Sequence, residues 1–262
     1  LTGAQQEAVT NYDKLKKLEY RLVELESENG EVSPWFDDTA LARQTIAVRN
    51  DGDETFSDAP VLLKLTDIPK GTGESTLKFY TMSGLEIPYE IENWNPEGIT
   101  TVWVRLEELP ARGATNLWVY YGGKEAQNVS AEVWNETYEL VEHFAQDSKA
   151  GETRVDSTGK QSGTVEGKGL TASAEENGTM AAYFDNTKIV YGDVGGGLDQ
   201  VTVSAVYRAT AEDLANQPED NAPFFAKDVA GSGSNDTLFL GVNKTNRQLV
   251  SRYSGLWYES SS

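Results

Sequence analysis

The chain has 262 residues, 42 acidic against 22 basic, a formal net charge of -20 and no cysteine. A composition 38% hydrophobic and 10% aromatic can bury the cores of two modest β domains. The charge repels phosphate backbones and anionic bilayers, which argues against nucleic acid as a partner; the missing cysteines remove disulfides, thiolate metal sites and cysteine nucleophiles together.

No apolar run approaches the ~18 residues needed to cross a bilayer, so membrane insertion is not expected. Leu1 opens no signal peptide, and the expectation is a mature or excised segment of something larger. A secreted animal protein of this size would usually carry disulfides, so a bacterial source fits better. Five Asn-X-Ser/Thr triplets, at Asn128, Asn135, Asn177, Asn235 and Asn243, arise by chance in an Asn- and Thr-rich chain.

Residues 1 to about 29 carry the one pattern that predicts a helix. Thr2 with Gln5 makes a capping-box start, Leu15, Leu18, Leu22 and Leu25 recur at helical spacing, and Asn29-Gly30 ends the run. So few heptads favour a packed or spacing helix over an oligomerising coiled coil.

Six strands are predicted next, at Leu41 to Arg49, Pro60 to Leu65, Thr76 to Met82, Leu85 to Glu92, Thr100 to Leu106 and Asn116 to Tyr121. The breaks between them, such as Asn95-Pro96-Glu97-Gly98 and Pro110-Ala111-Arg112-Gly113, combine fixed φ at Pro with tolerated positive φ at Gly. In the fifth run Val102, Val104 and Leu106 share one face while Thr101, Trp103 and Arg105 share the other, the pattern of a half-buried sheet.

From Trp134 onward, apolar clusters at Tyr138 to Phe144, Met180 to Phe184, Val201 to Tyr207, Pro223 to Ala226, Leu238 to Val242 and Gln248 to Tyr258 predict a second β-rich region. Its loops, notably Asp147 to Gly169, are long and polar. The expected fold class is mainly β: two antiparallel β-sandwich or jelly-roll domains, at 35–127 and 134–262, behind a helical spacer at 1–30.

The order Pro60-Val61-Leu62-Leu63, Leu77-Lys78-Phe79-Tyr80, Pro88-Tyr89-Glu90-Ile91-Glu92-Asn93-Trp94, Trp103-Val104-Arg105 and Trp118-Val119-Tyr120-Tyr121-Gly122-Gly123 resembles the bacterial domain-of-unknown-function family 2341, over roughly Trp35 to Trp134. That family occurs in surface and extracellular multidomain proteins, and no activity is assigned to it. The next segment looks like the start of a laminin-G-like, concanavalin-like module: Glu142-His143-Phe144 as opening strand, Asp156-Ser157-Thr158-Gly159 as first turn, Ala182-Tyr183-Phe184-Asp185 and Val201-Thr202-Val203-Ser204-Ala205 as later strands. The resemblance implies further strands after Ser262, so the rest of this polypeptide is an expected partner that completes the second sandwich. Val9-Thr10-Asn11-Tyr12-Asp13-Lys14-Leu15 is similar to interdomain helices of Gram-positive wall proteins, and the implied location is extracellular or attached to the cell wall.

The single histidine, His143, weakens any triad or histidine metal site and reads as structural. Glu90 and Glu92 share one strand face at a spacing that suits a pair of glycosidase acids. No third acid completes the hydrolase pattern, so they are expected to be solvated or edge-protecting, and no catalytic residue is assigned. Glu107 and Glu108 precede a turn and are expected to face solvent.

Asp147, Asp156, Asp185, Asp193 and Asp236 sit in turns that suit calcium, a hard cation taking oxygen ligands; the cofactor expectation is none or one structural calcium. Trp257, Tyr258, Tyr253 and Trp94 are candidate carbohydrate platforms, since sugar C–H groups stack on aromatic faces. Trp103, Trp118 and Tyr120 read as core or interface aromatics. The expected function is a non-catalytic, extracellular bacterial segment in adhesion or glycan binding, with glycans or a host surface ligand as partners. An accessory module of a secreted glycoside hydrolase or peptidase and a structural stalk are the alternatives.

Overall fold

The computed structural model describes residues 35–127, 130–196, 200–216, 220–227, 238–253 and 256–259. It is mainly β, and every strand pairing in it is antiparallel. The chain divides into two compact units, Leu1–Gly197 and Leu198–Ser262. The helix expected over residues 1 to 29 lies outside the described residues.

The first unit is built on two three-stranded sheets. One orders β1 (Ala42–Asn50), β6 (Gly113–Tyr121) and β3 (Lys78–Thr81); the other orders β2 (Phe56–Leu65), β5 (Thr100–Leu109) and β4 (Tyr89–Asn93). The period-2 pattern decides what each face buries. Val102, Val104 and Leu106 of β5, Leu63 and Leu65 of β2, and Leu117, Val119 and Tyr121 of β6 join one core with Phe79 and Tyr89. Val102 and Val104 are fully buried, each worth roughly 1.5–3 kcal/mol relative to exposure.

The outer faces of this sandwich are covered as well. Residues 35–41 run across the β1–β6–β3 sheet, where Trp35 and Phe36 pack on Tyr120. Residues 134–143 run across the β2–β5–β4 sheet, where Trp134 packs on Trp103. A 3-10 turn, Ser130–Val133, delivers that second cover and buries Val133.

The strand expected at Glu142 to Phe144 is absent, because residues 138–144 give backbone groups to side chains and to a turn. Val141 N–H donates to Asp156 Oδ2, Val141 C=O accepts from Ser157 N–H, and Lys160 Nζ donates to Tyr138 C=O. Conversely, the stretch read as a loop from Asp147 to Gly169 contains β7 (Thr153–Val155) and β8 (Ser162–Glu166). These pair with β11 (Lys188–Val190), while β9 (Leu170–Ala174) pairs with β10 (Met180–Phe184). Thr, Ser and Gly dominate β8, so it lacks the apolar alternation that would mark it.

The second unit holds a four-stranded meander of β12 (Asn221–Lys227), β13 (Leu238–Asn243), β14 (Leu249–Tyr253) and β15 (Leu256–Glu259). A short helix, Ala211–Ala215, is closed by a capping box between Thr210 and Asp213 and places Leu214 against Ala222 and Val242. No strand forms at Val201 to Tyr207, where Val206 is fully exposed and Tyr207 leans on Phe224.

A local motif recurs. In Asp37-Asp38-Thr39, Asn135-Glu136-Thr137, Asp156-Ser157-Thr158 and Asn177-Gly178-Thr179, the first side-chain oxygen accepts from both the backbone N–H and the hydroxyl of the Thr. These are Asx-turns, which fix the chain direction without a ladder. Three of the five Asn-X-Ser/Thr triplets, at Asn135, Asn177 and Asn243, have a turn-forming Asn, which accepts from the backbone N–H two residues on.

Candidate functional site

The outward face of β4 carries Glu90 and Glu92, as its alternation requires, and Glu90 lies opposite Trp103 of β5. Covering residues 134–143 and the β9–β10 turn convert this face into an interior. Glu92 is buried and Glu90 half-buried, which corrects the expectation of solvated acids.

Every carboxylate oxygen is engaged. Glu90 Oε1 accepts from Ser157 Oγ at 2.6 Å. Glu90 Oε2 accepts from Trp134 Nε1 at 2.6 Å and lies 3.3 Å from His143 Nε2. Glu92 Oε1 accepts from the backbone N–H of Met180 at 2.6 Å, and Oε2 from Trp103 Nε1 at 2.7 Å. His143 Nδ1 lies 3.8 Å from Glu92 Oε2, so the imidazole faces one carboxylate with each ring nitrogen. It is packed between Trp103 and Trp134, with ring centroids at 5.6 and 5.5 Å.

Burial raises the Glu90 carboxyl, but hydrogen bonds from His143, Ser157 and Trp134 and the nearby imidazole outweigh it and hold the group below the usual carboxylate range. Asn93 Nδ2 and Thr101 Oγ1 extend the contact by donating to Gly178 C=O at 3.0 and 3.2 Å. Gly178 needs positive φ, 88°, and a Cβ there would stand 2.5 Å from Ile99 Cγ2, so a side chain would lift this turn off the sheet.

Chemically, the arrangement is a joint. A nucleophile–base pair would need the Ser157 hydroxyl to bond the imidazole; its proton goes to Glu90 instead. A glycosidase acid needs a carboxyl proton that faces substrate, whereas here the oxygens are turned into Trp, Ser, His and backbone donors beneath the covering segment. A second tie lies beside it. Arg154 Nη2 donates to Glu142 Oε1 at 2.5 Å and Tyr191 OH to Glu142 Oε2 at 2.6 Å, and burial followed by the Glu142 carboxylate pushes the Tyr191 phenol up.

The opposite face carries a buried ion pair, Lys78 Nζ to Asp37 Oδ2 at 2.6 Å, with both side chains nearly inaccessible. Burial raises the Asp37 carboxyl, but the bonds from Lys78 and Thr39 prevail and hold it far below its ordinary value. Beside it the Arg43 guanidinium sits between Trp118 and Trp35, 4.3 and 4.8 Å from their ring centroids.

Three of the five candidate metal residues are engaged elsewhere. Asp156 is buried in its Asx-turn, Asp147 Oδ1 accepts from Ala172 N–H, and Asp185 pairs with Lys168. Asp193 is exposed in the turn before Gly196, and Asp236 lies outside the described residues. Among the described residues no three His, Cys, Asp or Glu side chains cluster to hold a metal ion. Of the candidate sugar platforms, Trp94 packs half-buried against the sandwich core and Tyr258 stands exposed on β15. Tyr253 and Trp257 lie in β14 and β15, with Trp257 opposite Arg252; their side chains lie outside the described portion.

Residues 74–158 match the family described as Domain of unknown function (DUF2341). No curated protein and no solved structure matches the chain. The matched stretch runs from the turn ahead of β3 to the Asp156 turn, so it contains Glu90, Glu92, Trp103, Trp134, His143 and Ser157. In the sequence the two acids and the histidine stand out singly, and nothing marks Ser157 and Trp134 as their partners. Nothing periodic links residues 53 positions apart; the Asx-turn at Asp156, which positions Ser157, is the one local signal.

Proposed function

We propose that this chain is a non-catalytic extracellular bacterial β protein that acts in adhesion or glycan binding, with a laminin-G-like module following its first sandwich. The observation that carries the non-catalytic part is the spent state of Glu90, Glu92, His143 and Ser157, the groups in the family-matched stretch best suited to acid–base or nucleophilic work. All four are committed to holding residues 134–180 on the sandwich. The antiparallel strands after residue 150 support the sandwich-like second module, and the acidic, cysteine-free composition suits a bacterial exterior.

The test is a glycan array probed with the whole chain, run alongside glycoside, ester and peptide substrates. Saturable binding to a defined glycan set without turnover is the expected result. Turnover that Glu90→Gln abolishes would overturn the non-catalytic reading, and absence of binding to any glycan would overturn the recognition reading.

A further inference from the structure

A cleft of about 520 Å³ opens at one end of the first sandwich, between residues 66–72 after β2 and the β4–β5 turn at 96–98. This volume falls within the roughly 300–1,000 Å³ typical of small-molecule sites. Both walls are pre-shaped. Ile68 is buried in the sandwich core, Thr72 N–H closes a turn onto Pro69 C=O at 3.1 Å, and Gly98 N–H closes another onto Asn95 C=O at 3.0 Å. Asn95 N–H is itself held by the buried Thr100 hydroxyl at 2.9 Å. Pro69 and Pro96 fix φ in each wall, so little ordering is left for a ligand to impose.

The polar groups around this cleft are unspent, the reverse of the joint. Asp67, Lys70 and Glu97 are exposed on its walls and make no ion pair or hydrogen bond among the described residues, and Thr72 Oγ1 is buried without a partner. Carboxylates accept from pairs of vicinal hydroxyls, an ammonium donates to hydroxyl or ring oxygens, and the two proline rings offer apolar faces to sugar C–H groups. Two carboxylates against one ammonium disfavour phosphate, sulfate, sialic or uronic acids in the same space.

We infer that this cleft is a binding site for a short neutral oligosaccharide, recognised by Asp67, Glu97 and Lys70. The inference rests on the glycan-binding reading above and adds its location and ligand class.

The test is an array of neutral di- and trisaccharides beside sialylated and uronate-bearing counterparts, probed with the whole chain, Asp67→Asn/Glu97→Gln, Lys70→Ala and, as a surface control, Glu107→Gln. The substituted side chains are exposed, and unchanged thermal midpoints verify the folds. Wild type and Glu107→Gln should bind neutral glycans, with a loss of about tenfold or more in the cleft variants, as expected for removed charge-assisted hydrogen bonds. Neutral-glycan binding that survives both cleft variants overturns the site while leaving glycan recognition standing. A preference for anionic glycans overturns the ligand class, and absence of all binding by wild type overturns both readings.

Discussion

His143 Nε2 lies 3.3 Å from Glu90 Oε2 across 53 residues of sequence, and this contact is the centre of a joint between β4 and the segment that covers it. Trp134 Nε1 shares the same oxygen. The strand and its cover are coupled through one half-buried carboxylate, which makes the coupling measurable.

Glu90→Ala leaves the Trp134 N–H, the Ser157 hydroxyl and the His143 ring without their acceptor, and should destabilise the chain by about 3–5 kcal/mol in urea unfolding. Trp134→Phe keeps most of the packing and removes the donor. A double-mutant cycle of the two should return a coupling of about 1–3 kcal/mol; simple additivity would mean that the bond contributes nothing.

Acid should weaken the fold in a defined window. The folded Glu90 carboxyl titrates below its ordinary value of 4.5, and Asp37 titrates far below 3.8. A depressed carboxyl contributes stability that is fully present above its unfolded value and is lost as pH falls through its folded value. Urea midpoints should therefore hold down to about pH 5 and decline below it. In Glu90→Gln the upper part of that decline should shrink, and an unchanged profile would remove Glu90 from the account.

Lys78→Met strands the Asp37 carboxylate in a buried site, at an expected cost of about 3–5 kcal/mol by denaturant unfolding. Lys78→Met combined with Asp37→Leu removes both charges and should recover part of that loss. A double variant no better than the single one would show that the hydrogen bonds Asp37 accepts from the Thr39 and Lys124 N–H groups matter more than the pair.

Much of the first sandwich is legible in the sequence. The alternation of Val102, Val104 and Leu106 against Trp103 and Arg105 names the buried face because a strand has no other way to dispose of its side chains. The covering of the opposite face is not legible. Residues 138–144 attach through Asp156, Ser157 and Lys160, bonds that follow no period, and Glu90 and Glu92 look solvated until that cover is in place. β8 escapes notice for a related reason: Ser162, Gly163 and Thr164 pair through backbone groups alone, while Val165 is the one large apolar residue it buries.

A chain ending at residue 127 removes Trp134, His143 and Ser157 while keeping all six strands of the first sandwich. It should expose Trp103, shift tryptophan emission to longer wavelength and unfold at lower urea than a chain ending at residue 196. Equal stability of the two would show that the cover is dispensable.

Amide hydrogen exchange at Met180 tests the joint most directly, because this backbone N–H donates to Glu92 Oε1 across 88 residues of sequence at 2.6 Å. The amide should be protected in the wild type and exchange far faster in Glu92→Ala, with Val250 and other amides of the second unit unchanged. Equal protection at Met180 in both proteins would contradict the joint.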